Sequence, residues 1–219
     1  MQFDLFIKVT KKVRYMALPG EKAQVLMSPP GRKQLALLAR KKKQRAKQAA
    51  VFALFYPGPT NETLLLLIKR KPYKGVHSSQ ISFPGGKFAE TDNTLLQTAY
   101  RETFEEVGIQ HEFIEEVFPM SSIYIPPSNF RVQPYVGLVK EQPAFQTCLR
   151  EVENVISIPF ELLYTGSIVT RHRVSTSYGI EVEVPCYKFE NEIIWGATAM
   201  MISEILSLFR KTTRGDFVL

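Results

Sequence analysis

Three carboxylates fall within five residues of one another in RETFEEVGI, 101–109: Glu102, Glu105 and Glu106. Spaced i, i+3 and i+4, they would share one arc of a helix about 100° wide. Like charges so placed repel, and a divalent cation is the simplest compensation. Hard oxygen donors suit Mg2+ or Mn2+, and Mg2+ keeps positions for water and phosphate oxygens, which indicates phosphoryl chemistry. Upstream, Gly85-Gly86 lets the backbone come close to a metal or a phosphate. Arg101 can hold a carboxylate in place through a forked ion pair. The same acids could be only the solvated face of an amphipathic helix. FPGG at 83–86 and the Arg-Glu pair favour the chemical reading.

The elements that must position these residues follow from the hydrophobic pattern. Leu96, Ala99, Tyr100, Thr103, Phe104 and Val107 predict a helix over 92–107 that ends at Gly108. Runs at 49–56 and 63–69 read as strands joined by a Pro57-Gly58-Pro59 turn, and 83–87 reads as a loop. Further strands are expected at 123–125, 131–139, 154–158, 167–175 and 180–189, and a buried helix over 195–210. Phe3, Phe6, Ile7 and Val13 suggest a short N-terminal amphipathic helix before Pro19-Gly20. A β-rich middle flanked by helices argues for an α+β fold, an α/β/α sandwich. The expected organisation is an N-terminal helical extension over 1–47 and one domain over 48–212.

Apolar residues make up 45% of the 219 and charged residues 22%, which excludes collagen-like, low-complexity and wholly disordered chains. The net charge of +7 is local: residues 31–50 hold eight bases and no acid, whereas 81–120 hold eight acids against Lys87 and Arg101. A basic arm invites a nucleic-acid partner. The alternative is a solvated helix ahead of the first strand, in which Leu35, Leu37 and Leu38 need burial; this is preferred, and nucleic acid is not expected as a partner. Cys148 and Cys186 match no metal or redox spacing. The longest aliphatic run, 64–68, is too short to span a bilayer, so a cytoplasmic protein without a membrane partner is expected.

The segment 101–109 resembles the second half of the Nudix box, G-x5-E-x7-R-E-U-x-E-E-x-G-U, with Thr103 at the bulky aliphatic position and one extra residue between Asp92 and Arg101. The longer spacing is similar to that of the coenzyme A pyrophosphatase branch. So are Leu66-Leu67-Ile68-Lys69-Arg70, then Lys74 and His77, then Gln80-Ile81-Ser82-Phe83-Pro84-Gly85-Gly86, and Trp195-Gly196-Ala197-Thr198-Ala199 near the C-terminus. The branch usually has Thr at Ile68, Arg at Gly75 and Gly at Ser79.

The resemblance covers about 48–210 and implies a Nudix-type sandwich with a mixed sheet. It implies metal-dependent hydrolysis of a nucleoside diphosphate derivative, with coenzyme A or acyl-CoA first and ADP-ribose or a dinucleotide second. A regulatory or nucleic-acid-binding protein on the same scaffold is the reading from another class. The resemblance assigns the metal, Mg2+ or Mn2+, to Glu102, Glu105, Glu106 and the Gly86 carbonyl. It makes Glu102 the first candidate for general base, ahead of Glu151 and Glu153, and Arg101 an orienting residue. Arg70, Lys74, His77 and Gly85 would contact the substrate. Trp195 reads as a core anchor, and a homodimer is left open.

Overall fold

The computed structural model describes residues 1–39, 43–72, 79–175 and 181–216, with side chains as far as 212. Its central strand is β1 (Lys47–Pro57). β1 pairs antiparallel with β2 (Thr63–Arg70) at Phe55↔Leu65 and with β4 (Gly85–Lys87) at Ala50↔Gly86, and parallel with β7 (Phe130–Val139) from Lys47↔Phe130 to Phe55↔Leu138. β3 (Ile81–Ser82) and β8 (Val152–Pro159) join β2, while β5 (Ile114–Pro119) and β6 (Ile123–Ile125) join β7, which completes a mixed eight-stranded sheet. A separate antiparallel sheet holds β9 (Val169–Ser175), β10 (Glu181–Phe189) and β11 (Glu192–Ile194).

The central strands are apolar without interruption because both of their faces are covered. Ala53 and Phe55 of β1 and Leu65 and Leu67 of β2 point into one core, and Phe52, Leu54, Leu66 and Ile68 into the other. The second core is covered by α4 (Leu95–Val107), through Ala99 and Val107. The first is covered by α1 (Phe3–Val13), α5 (Phe160–Thr165) and α6 (Gly196–Asp216). This is the expected α+β arrangement, a mixed sheet between helical layers. The short helices α2 (Glu21–Gln24) and α3 (Arg32–Leu38) lie between α1 and β1. No helix among the described residues is long and apolar enough to cross a membrane.

Phe6 of α1 is fully buried, with its ring 4.6 Å from Phe55, 4.9 Å from Phe160 and 4.7 Å from Phe209. The N-terminal segment thus packs into the same core as the sheet. Two of its bases also lie on aromatic rings: Lys43 Nζ is 5.9 Å from the Tyr124 ring and Lys47 Nζ 6.0 Å from that of Phe130.

Several sequence expectations need correcting. Leu37 and Leu38 are 72% and 85% exposed, because the seven-residue α3 packs through its other side. Phe104 is likewise exposed, since the buried face of α4 is rotated toward Thr103 and Glu106. That helix starts at Leu95, where the Thr94 hydroxyl caps the Gln97 N–H, and not at Asp92. Residues 85–87, read as a loop, form an edge pairing with β1.

Thr103 stands where the Nudix box has a bulky aliphatic residue, and its buried hydroxyl has no hydrogen-bond partner among the described residues. An unpaired buried hydroxyl costs about 1–3 kcal/mol, so Thr103→Val is expected to raise stability by about 1 kcal/mol or more. Phe6→Ala is expected to lower it by about 3–5 kcal/mol. Denaturant titration checks both. A Phe6 effect below about 1 kcal/mol would contradict the shared core, and a destabilised Val variant would mean that the hydroxyl has a partner.

Candidate active site

Along α4 the three acids sit at different depths. Glu106 is 1% exposed, the Glu102 side chain 14% and the Glu105 side chain 55%. Glu106 is held from two sides. Its Oε1 accepts from Arg70 Nη1 of β2 at 3.0 Å, and its Oε2 accepts from the Gly85 N–H of β4 at 2.8 Å. Burial nevertheless pushes its carboxyl up to about 7, against the pull of Arg70 and Gly85. Burial also raises that of Glu102, and Arg101 opposes it.

The glycine loop is shaped for this contact. Gly85 lies at φ +144°, where a side chain would strike the Ala50 carbonyl at 2.3 Å. A Cβ on Gly86 would lie 2.3 Å from Glu102 Oε2, so the missing side chain is what lets that carboxylate rest against the loop. Ser79, where the branch has glycine, keeps a left-handed backbone at φ 58°, at a cost of about 1 kcal/mol for a residue with a Cβ.

Arg101 ties the helix to the loop before it. Its Nε and Nη2 bond the two oxygens of Asp92 at 2.9 and 2.8 Å, Nη2 also reaches the Lys87 carbonyl, and Nη1 bonds Glu102 at 2.8 Å and Glu105 at 3.2 Å. Asp92 further accepts from the Ala89 N–H and the Thr98 hydroxyl. Arg101 holds the Asp92 carboxyl well below the usual carboxylate range. The two arginines therefore supply part of the compensation that the sequence assigned to a cation. Among the described residues, no three His, Cys, Asp or Glu side chains already gather around one point.

The donor chemistry still fits a divalent cation of the Mg2+ class. All the donors are oxygens, and Glu102 is repelled by Glu105 and Glu151, as Glu106 is by Glu102 and Glu151. Glu151, just ahead of β8, adds to this negative charge, whereas Glu153 pairs with Lys69 at 3.3 Å. Lys74 and His77 lie outside the described residues.

A cleft of about 420 Å3 opens beside Gly85 and Gly86. Arg70 lines it, as do Ser82, Trp195 and Ser128, so Trp195 is a half-buried wall residue and not the core anchor expected. The Thr198 hydroxyl donates to the Ile81 carbonyl at 3.0 Å, which joins the segment at 195–198 directly to the one at 80–86. Sequence reasoning missed one contribution to the cleft. Pro29, Arg32 and Leu35 come from the N-terminal segment, and no local motif marks them.

Asp92 contributes stability that is present above its ordinary carboxyl range, near pH 4, and is lost as pH falls toward its lowered folded value. Asp92→Asn is expected to cost about 1.5–3 kcal/mol at pH 7 and to lose less stability than the parent between about pH 4 and 2. Unfolding titrations across that range check this, and parallel acid limbs would refute it.

A NUDIX domain family model matches residues 46–176. The chain is 33% identical over 149 residues to a Nudix hydrolase called NudL, itself uncharacterized, from Yersinia enterocolitica serotype O:8 / biotype 1B, covering 66% of this chain and 73% of that protein. It is 30% identical over 173 residues to the NudL protein of Pectobacterium atrosepticum, with 73% of this chain and 81% of the relative covered. Its fold is similar to a crystal structure of a MutT/nudix family protein from Enterococcus faecalis, with a TM-score of 0.50, 16% identity, and 77% of this chain and 62% of the other covered. With the domain match spanning more than half of the residues, the chain belongs to the Nudix hydrolase family and is a pyrophosphohydrolase of nucleoside diphosphate derivatives.

Proposed function

We propose that the substrate is coenzyme A or an acyl-CoA, cut at its diphosphate to give 3′,5′-ADP and (acyl-)4′-phosphopantetheine. The observation that carries this reading is the joining of the three branch-like segments around one cleft. Arg70, at the end of the first, bonds Glu106; Ile81, in the second, accepts from Thr198, in the third; and the cleft runs between them. The cleft walls are largely apolar, with Ile125, Val132 and Met201 among them, and suit an acyl-pantetheine arm next to the diphosphate.

Glu102, Glu105 and Glu106, with the Gly86 carbonyl, are the residues that would hold Mg2+ or Mn2+. When bound, such a metal neutralises phosphate charge and lowers the pKa of a coordinated water. Water oxygen adds to phosphorus, the bridging P–O bond breaks, and the bridging oxygen leaves on one product. A Glu102 oxygen takes the proton from the attacking water. Glu151 is the second candidate for base. Arg101 is a positioning residue, with three contacts to Asp92 and Glu102 that fix the Glu102 rotamer. Arg70, beside the Gly85 N–H, meets the substrate's phosphates together with Lys74 and His77.

Two measurements test this. A panel of coenzyme A, acyl-CoA, ADP-ribose and dinucleotides with Mg2+ or Mn2+ is expected to show coenzyme A compounds turned over best, and rapid ADP-ribose hydrolysis without coenzyme A hydrolysis would overturn the substrate. Glu105→Gln with Glu106→Gln is expected to reduce kcat by at least about 100-fold with the fold retained by circular dichroism. Full activity in that variant would refute the metal assignment.

A further inference from the structure

The segment between α1 and β1 is fixed to the body by buried polar contacts. Glu204 of α6, fully buried, accepts from the Gly20 N–H at 3.1 Å and from Gln24 Nε2 at 2.8 Å, and the Ser203 hydroxyl donates to the Ala23 carbonyl at 2.8 Å. Met27 enters the core. From this anchor the chain turns at Pro29-Pro30-Gly31 and places Arg32 and Leu35 on the cleft.

Arg32 is the unexplained charge in this arrangement. It donates through Nη2 to the Tyr124 carbonyl, and among the described residues no carboxylate lies within ion-pair distance of it. Glu21 acts on it only from farther away, and burial pulls its proton affinity down. A guanidinium has five N–H donors, and a partly buried cation without an ionic partner is costly unless an anion comes to it. Ser82 and Ser128, on the same cleft, have buried hydroxyls without a hydrogen-bond partner among the described residues.

Strand order sets how far this charge lies from the reacting centre. Tyr124 of β6 pairs with Arg131 of β7, Arg131 with Gln48 of β1, and the adjoining residues Ala49 and Ala50 with Lys87 and Gly86 of β4. Three strand spacings of about 4.8 Å put the Tyr124 carbonyl roughly 14 Å from the glycine loop. A diphosphate seated at that loop is too short to reach both.

We propose that residues 29–35 are a built wall of the substrate cleft and that Arg32 is its anion-binding group, receiving a phosphomonoester of the substrate other than the diphosphate that is cut. The site rests on the reading above of where the diphosphate lies. Its planar fork matches a phosphate in two-point contact, and Lys43 and Lys47, over the Tyr124 and Phe130 rings, add positive potential beside it.

The test compares 3′,5′-ADP with 5′-AMP, which differ by that one phosphate, by calorimetry on the full chain and on Arg32→Gln and Arg32→Lys. The expected result is that the parent binds 3′,5′-ADP at least about tenfold more tightly, that Arg32→Gln brings the ratio to within about twofold, and that Arg32→Lys falls between. The kcat/KM ratio of coenzyme A to dephospho-coenzyme A should follow the binding ratio. A parent with no preference, a preference retained in Arg32→Gln, or equal weakening of both ligands overturns the proposal. If Arg32→Gln fails to fold, Arg32→Lys and the parent ratio decide it. Because the binding ratio is read without turnover, an enzyme that cleaves neither coenzyme A compound would sink the proposed substrate and leave the Arg32 result standing on its own.

Discussion

The carboxylate of Glu106 is almost completely removed from water, and it is held there by the Arg70 guanidinium and the Gly85 N–H. These contacts fix three separate pieces of chain relative to one another: α4 carries the acid, β2 brings Arg70, and β4 brings the Gly85 N–H. The bare Cα of Gly86 follows from the loop's contact with Glu102, while Gly85, at positive φ, has no room for a side chain against Ala50 of β1. Arg101 then locks the outer acids to Asp92. The site is thus a charge balance first, and its geometry is what keeps that balance in place.

The balance also explains why the acids behave unequally. Glu106 is the most buried and has the most raised carboxyl, Glu102 stands between loop and helix, and Glu105 remains largely exposed. Identical side chains on one helical arc acquire different chemistry first from their depth and then from the arginines beside them.

Much of this was legible in the residues. The apolar runs of β1 and β2 read as strands, the i, i+3, i+4 acids marked the helix, and the glycine pair marked the loop. The orientation of α4 was not legible to better than about one residue, because Phe104 and Glu106 lie on opposite edges of the buried stripe and only the sheet decides which goes in. β5 escaped notice because Glu115 and Glu116 break its alternation and its register shifts there. The N-terminal wall of the cleft left no local signal. Its defining contacts, Arg32 to Tyr124 and Gln24 to Glu204, join residues far apart in the chain, and pattern reading within a window cannot see them.

The packing of Phe6 against Phe160 and Phe209 has a consequence for synthesis. The apolar face of α1 is made roughly 200 residues before the last of its partners, a delay of about 10–40 s at ordinary elongation rates. Throughout that interval Phe3, Phe6 and Val13 have no completed core to enter. The chain therefore spends its biogenesis with these apolar side chains uncovered, in a segment too short to hold a helix by itself, until α6 emerges and closes the first core over them.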